Sequence, residues 1–185
     1  MSNRISVREA TLEDIDDEYL SWYRNDDHLL DTFTGSRRSF SDDGIIADFK
    51  ESLASQRFVY WLILDTACGK KIGNVKIGPI DHVNKTSDLV CFIGDRNFHG
   101  KGLAREAIAV ASQVAFDRYD IRRLHGGMYV TNIASIKAYL AAGWQEEGML
   151  KGFYWVDGKP VDRLLVCCLN PKYFPKTEEP AAAQG

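Results

Sequence analysis

The sequence predicts a mixed α/β domain, a largely antiparallel sheet carrying helices on its faces. Apolar segments of strand and helix spacing succeed one another in the order β-α-α-β-β-β-α-β-α-β-β. Strands follow strands through turn signals, with Asp157-Gly158 a strong hairpin signal. Strand-to-helix crossings occur only twice, behind Ile93 and behind Val130, which excludes a doubly wound parallel sheet.

Each element has its own warrant. Arg4 to Glu9 alternates around Ile5 and Val7 and reads as a first strand. Thr11 is placed to cap a helix, with Asp14 as the capping-box acid. That helix carries Leu12, Ile15, Tyr19, Leu20, Trp22 and Tyr23, then frays into Arg24-Asn25-Asp26-Asp27. After a polar link through Gly35-Ser36-Arg37-Arg38, Ser41 caps a second helix with Ile45, Ile46, Phe49 and Leu53 along one side. Phe58 to Leu64 is aromatic and β-branched, as a half-buried strand requires. Ala67-Cys68-Gly69-Lys70 turns the chain, and Lys71 to Ile80 alternates through Ile72, Val75 and Ile77. Asp88 to Ile93 is a short apolar strand. Leu103, Ala107, Val110, Ala111 and Val114 then recur at helical spacing, among alanines suited to close packing on a sheet. Ile121 to Val130 reads as a strand broken by Gly126-Gly127, and Asn132 to Ala142 as a helix closed by Gly143. Trp144 to Val156 and Val161 to Leu169 make the final hairpin. From Pro171 the chain turns polar, so residues 1–170 are expected to form one domain and 171–185 a frayed tail.

Composition narrows the function. At 185 residues, 45% hydrophobic and 26% charged, the chain can bury a substantial core. A net charge of −3 and a pI near 5.8 argue against a nucleic-acid partner. No apolar run is long enough to span a bilayer, and Met1 to Glu9 lacks a signal-peptide pattern. Cys68, Cys91, Cys167 and Cys168 show no zinc spacing, so no metal site is expected and the thiols read as reduced, which points to the cytoplasm.

The chemistry concentrates between Cys91 and Ala107. An apolar strand ends in Gly94-Asp95, a short loop carries Gly100 and Gly102, and a helix begins at once. Glycines let a ligand approach the backbone, and the unpaired N–H groups of a helix start favour an anion, so the stretch suits a phosphate or pyrophosphate. An ordinary turn would use the same glycines for geometry alone. A nucleotide-hydrolase P-loop is excluded because Gly102 follows Lys101 where Ser or Thr is needed. A dinucleotide fingerprint is excluded because Arg105 replaces its third glycine.

His99-Gly100-Lys101-Gly102-Leu103-Ala104 resembles the acetyl-CoA loop of the GNAT N-acetyltransferase superfamily, Gln/Arg-x-x-Gly-x-Gly/Ala after a strand ending in Gly-Asp. Asn132 to Trp144 is similar to its second signature, Asn-x-x-Ser-x-x-x-Tyr-x-x-x-Gly-Phe/Trp. The likeness runs from Ile5 to about Leu169. It implies the GNAT fold: a central, mixed, mostly antiparallel twisted sheet of about seven strands flanked by four helices. It also implies direct acyl transfer from acetyl-CoA, or another short acyl-CoA, to a primary amine. His99 departs from the usual Gln or Arg. It matches a branch that includes ribosomal-protein N-terminal acetyltransferases and nucleotide-sugar N-acyltransferases.

The resemblance assigns the cofactor to Phe92 and Ile93 at the strand end, His99, Gly100, Lys101, Gly102, Leu103 and Ala104 in the loop, and Asn132 and Ser135 downstream. Lys101 adds charge attraction or is a solvent lysine, Asn132 contacts the cofactor or only caps its helix, and Ser135 is either a contact or a first-turn residue. Tyr139 is the implied general acid for the departing thiolate, against a packing role. Asp88 stands where related transferases often carry a Glu and is the candidate base, against an exposed strand-end acid. His82 and His125 are bases by chemistry alone. Cys91, inside an apolar strand with no evident base, reads as core.

For the acceptor, Tyr19 to Asp26 and Ile72 to Ile80 resemble GNAT members of surface-polysaccharide synthesis, and Arg37-Arg38 suits an anionic, sugar-sized molecule. The expected acceptor is therefore a nucleotide-linked amino sugar. The alternatives are a protein N-terminus or small amine, or a fold that binds acyl-CoA without turnover. A homodimer is also expected, since such domains often pair through exposed strands or helices.

Overall fold

The computed structural model describes residues 4–24 and 41–175. One seven-stranded sheet runs through it in the order β1-β2-β3-β4-β5-β7-β6. The strands are β1 (Ile5–Glu9), β2 (Val59–Asp65), β3 (Lys71–Ile77), β4 (Thr86–Ile93), β5 (Arg123–Tyr129), β6 (Gln145–Val156) and β7 (Lys159–Leu169). Four α-helices among the described residues flank it: α1 (Asp17–Arg24), α2 (Asp42–Ser55), α3 (Leu103–Tyr119) and α4 (Ile133–Ala141). Every strand pair is antiparallel except β4 with β5. The mixed, mostly antiparallel sheet and the element order expected from the sequence are both present.

The core has two layers because β2 is buried on both faces. Val59, Trp61 and Ile63 meet Leu103, Ala107, Ala111 and Ala115 of α3 on one side. Tyr60 and Leu62 meet Tyr19, Trp22 and Phe49 of α1 and α2 on the other. Alanines every four residues let α3 lie close to the strands. Gly94 serves the second layer, since a Cβ there would fall 2.2 Å from the Trp22 ring.

Local details differ from the sequence reading. Thr11 and Asp14 form their capping box around a 3-10 turn, Leu12–Asp14, and not at the start of a long helix. Asp14 is also held by Arg8, which keeps its carboxyl far below the usual range, and α1 begins only after Asp16 accepts the Tyr19 N–H. Ser41 caps α2 as expected, accepting the Gly44 N–H at 3.2 Å. Gly126-Gly127 does not break β5, which pairs with β7 from Arg123 to Tyr129. At the start of the expected tail, Lys172 and Tyr173 both bond Asp120 at 2.6 Å. Residues 176–185, Arg37-Arg38 and Asn25 to Asp27 lie outside the described residues. No helix of the described residues is long and apolar enough to cross a membrane.

Candidate active site

The site exists because β4 and β5 part. They share three rungs, Thr86 with Arg123, Ser87 with Leu124 and Asp88 with His125. Past Asp88 the strands diverge, and β4 keeps pairing only with β3, through Leu89 to Ile93. The edge of β4 that turns from β3 thus faces a cavity of about 820 Å³. The twelve residues that the resemblance assigned to cofactor binding or catalysis line it: Asp88, Phe92, Ile93, His99, Gly100, Lys101, Gly102, Leu103, Ala104, Asn132, Ser135 and Tyr139.

The loop at the wide end has the geometry the glycines foretold. Gly100 and Gly102 adopt φ of +71° and +75°. Gly102 caps α3 without a side-chain hydrogen bond, leaving the first N–H groups of a 17-residue helix at the cavity. One residue that motif reading missed secures this loop. Arg4, just before β1, donates to the Lys101 carbonyl at 3.1 Å and to Glu106 in the first turn of α3 at 2.8 Å. Arg105, in the place of the excluded third glycine, lines the cavity with Arg4 and Lys137. No sequence signal joins residues 4 and 101; the contact is made by tertiary folding. Lys101 is exposed, with its ammonium 5.2 Å from the Phe98 ring centre. His99 acts on the strand: its Nε2–H donates to the Ile93 carbonyl at 2.8 Å, closing the end of the open edge.

At the narrow end stands Tyr139, almost fully buried. Its hydroxyl donates to the Leu89 carbonyl at 2.8 Å, on the open edge of β4. Its ring meets Trp144 edge-on at 4.8 Å, and Trp144 donates to Ser112 of α3 at 3.1 Å. Burial drives the phenol well above its usual pKa, with the charge of nearby groups adding to it. Asn132 caps α4, its Oδ1 accepting the Ser135 N–H at 3.1 Å, which leaves the amide group as its available donor.

Asp88 is not an exposed strand-end acid. It sits at the last rung before the strands part, and its Oδ1 is buried with no hydrogen-bond partner. Burial raises its pKa, against the charge of His125, the Leu89 N–H and the charge of Arg163. His125 is exposed and outside the cavity lining, and His82 is exposed on the turn before β4. Burial pushes the Cys91 thiol up to about 12, so Cys91 is a poor nucleophile, in line with a core role. Among the described residues no three His, Cys, Asp or Glu side chains group as a metal site.

An acyl-CoA fits this architecture by size and by donors. The cavity joins bare N–H groups and cations at one end to an open strand edge and a buried phenol at the other. The comparisons agree: the family model of the acetyltransferase (GNAT) domain matches residues 4–145. The chain belongs to the GNAT acetyltransferase family. GNAT acetyltransferases use acetyl-CoA, and the activity that follows is acyl-CoA-dependent N-acyl transfer to an amine. A probable N-acetyltransferase of Bacillus subtilis, YjcK, is 24% identical over 154 residues, 83% of this chain and 81% of its own length. The spermidine N(1)-acetyltransferase of Vibrio cholerae is 26% identical over 125 residues, 68% of this chain and 69% of its own. The solved structure of a spermidine N-acetyltransferase from Vibrio cholerae with CoA and spermine superposes with a TM-score of 0.72 at 18% identity, covering 94% of this chain and 99% of that one. Another Vibrio cholerae structure of this enzyme, with a TM-score of 0.75 at 19% identity over 96% of this chain and all of its own, is dodecameric. The ribosomal-protein and nucleotide-sugar branch expected from the sequence finds no support among these relatives.

Proposed function

We propose that this GNAT domain acetylates the primary amine of a small molecule, with Tyr139 as general acid and Asp88 as general base. The observation that carries the reading is the placing of a buried phenol and a carboxylate with one buried, unpartnered oxygen at the point where β4 leaves β5. Acetyl-CoA supplies an activated acyl group as a thioester. The Gly100 to Ala104 backbone N–H groups, with Lys101 and Arg4, hold its pyrophosphate, and Asn132 and Ser135 flank it. Asp88 takes a proton as the amine nitrogen bonds to the acyl carbon, and Tyr139 gives one to the sulfur as the C–S bond breaks. A phenol kept neutral by burial is a proton donor at every working pH.

The small-amine acceptor fits the spermidine acetyltransferases among the relatives better than a nucleotide-linked amino sugar. The Ile72 to Ile80 segment that suggested the sugar is interior scaffold, with Ile72, Val75 and Ile77 fully buried. Four free cysteines support a cytoplasmic setting.

For Asp88→Asn, kcat/KM is expected to fall by about 10²-fold. In the parent enzyme kcat/KM should climb with pH through a value above the ordinary carboxylate range, because burial raises Asp88 and only its ionised form accepts a proton. The variant should lose that rise. A parent-like pH profile in Asp88→Asn would remove the base assignment. Self-association is the further expectation, since Met149, Phe153 and Trp155 are exposed on edge strand β6, Trp155 at 60%. Sedimentation should give a mass above the 20.9 kDa of one chain, and a monomer at assay concentration would exclude it.

A further inference from the structure

Arg163 has no place in the proton transfers above, yet its guanidinium lies over Gly127, a residue of the cavity wall. It stands on β7 opposite Tyr129 of β5. A Cβ added to Gly127 would fall 2.0 Å from Arg163 Nε and 2.6 Å from its Cζ, so the guanidinium crosses directly over that glycine. Gly127 lines the cavity just beyond the last β4–β5 rung, which places the cation at the parting of the strands. The Phe153 and Tyr154 rings hold it from the β6 side, at 5.0 and 6.0 Å, and Tyr154 packs on Tyr129 at 4.3 Å.

This cation packs against aromatic rings, and one of its N–H donors has no partner. Arg163 Nε is buried without a hydrogen-bond partner, as is Asp88 Oδ1, so the two groups feel each other's charge without bonding through these atoms. Neighbouring acids are engaged elsewhere, Glu147 with Arg123 and Asp162 with Lys151. A planar guanidinium presents paired N–H donors that match a carboxylate or phosphate, and aromatic packing orients it in advance.

We infer that the acceptor carries an oxyanion, a carboxylate or a phosphate, a few bonds from its amine, and that Arg163 binds this group while Asp88 faces the amine. The inference rests on the amine-acetylation reading and sharpens it. A polyamine meets the opposite field, because its second ammonium would stand beside a fixed cation.

Matched acceptor pairs test it through thiol release from acetyl-CoA: glucosamine against glucosamine 6-phosphate, phenethylamine against phenylalanine, and spermidine as the polycation. In one pair the oxyanion-bearing member should have a kcat/KM about tenfold higher or more, the worth of one charge-assisted hydrogen bond. The pair that shows it identifies phosphate or carboxylate. Preference for the uncharged members or for spermidine overturns the inference. In Arg163→Gln the ratio within the pair should collapse toward one, mainly through KM of the oxyanion acceptor, and Arg163→Lys should keep part of it. Taking the ratio within one variant cancels any change in Asp88 or in the folded fraction. An unchanged ratio in Arg163→Gln removes Arg163 from acceptor binding. Should that variant fail to fold, Arg163→Lys and the wild-type preferences decide. No turnover with any amine, with CoA binding intact by calorimetry, would remove amine acetylation itself and this inference with it.

Discussion

Replacing Tyr139 with phenylalanine is expected to lower kcat by about 10²-fold or more, the usual worth of a positioned acid, while acetyl-CoA affinity stays near wild type. The substitution keeps the ring that packs on Trp144 and deletes the hydroxyl that bonds the Leu89 carbonyl. Two consequences must be told apart. Losing the partner of a buried carbonyl costs about 1–3 kcal/mol of stability, which lowers the melting temperature without affecting turnover by the molecules that remain folded. Losing the acid slows thiolate departure in every folded molecule. Turnover by steady-state kinetics, affinity by calorimetry and melting by calorimetric scan separate the two. Wild-type turnover with a lowered melting temperature would make Tyr139 a structural residue only.

Gly102→Asp should abolish measurable CoA binding. Gly102 holds φ +75° as the cap of α3, and a Cβ there would meet nothing nearer than Arg4 at 3.8 Å. Space is therefore not the obstacle. A non-glycine residue in this conformation costs about 1–2 kcal/mol, and the carboxylate would repel the pyrophosphate from the helix N-terminus. It would also draw the Arg4 guanidinium from the Lys101 carbonyl that it steadies. Gly102→Asn is the control, because Asn tolerates the left-handed region and carries no charge. Asn should weaken binding modestly where Asp removes it. Equal affinity for Gly102→Asp and the parent would overturn the loop as the pyrophosphate site.

Much of the site was legible because its parts are local. The strand, two glycines and helix start lie within one stretch whose residue types and spacing reveal it, and Asn132 to Trp144 is another, picked out by its resemblance to a family signature. Where meaning depended on distant partners, it was hidden. Arg4 looked like the flank of a strand, yet it secures a loop near residue 101. His99 was read as the mark of a branch, whereas its Nε2–H caps the open edge of β4. Gly126-Gly127 read as a break in β5, because nothing local shows that Gly127 makes room for Arg163. Thr11 and Asp14 formed the box their spacing implies, but Arg8 binds Asp14 and the helix waits for Asp16. The acceptor branch was the least legible, since the groups proposed to meet the acceptor, Asp88 on β4 and Arg163 on β7, are brought together only by tertiary folding.

Among the described residues, three rungs between β4 and β5 make the strand pairing that joins two antiparallel blocks of the sheet, β1 to β4 and β5-β7-β6. A molecule seated in the gap touches both blocks and spans a seam that the ladder leaves open. Its binding energy then becomes cohesion by mass action, about 2.7 kcal/mol at a hundred times its dissociation constant. An acyl donor bound there as proposed would add its binding energy to the contacts between the halves of the sheet.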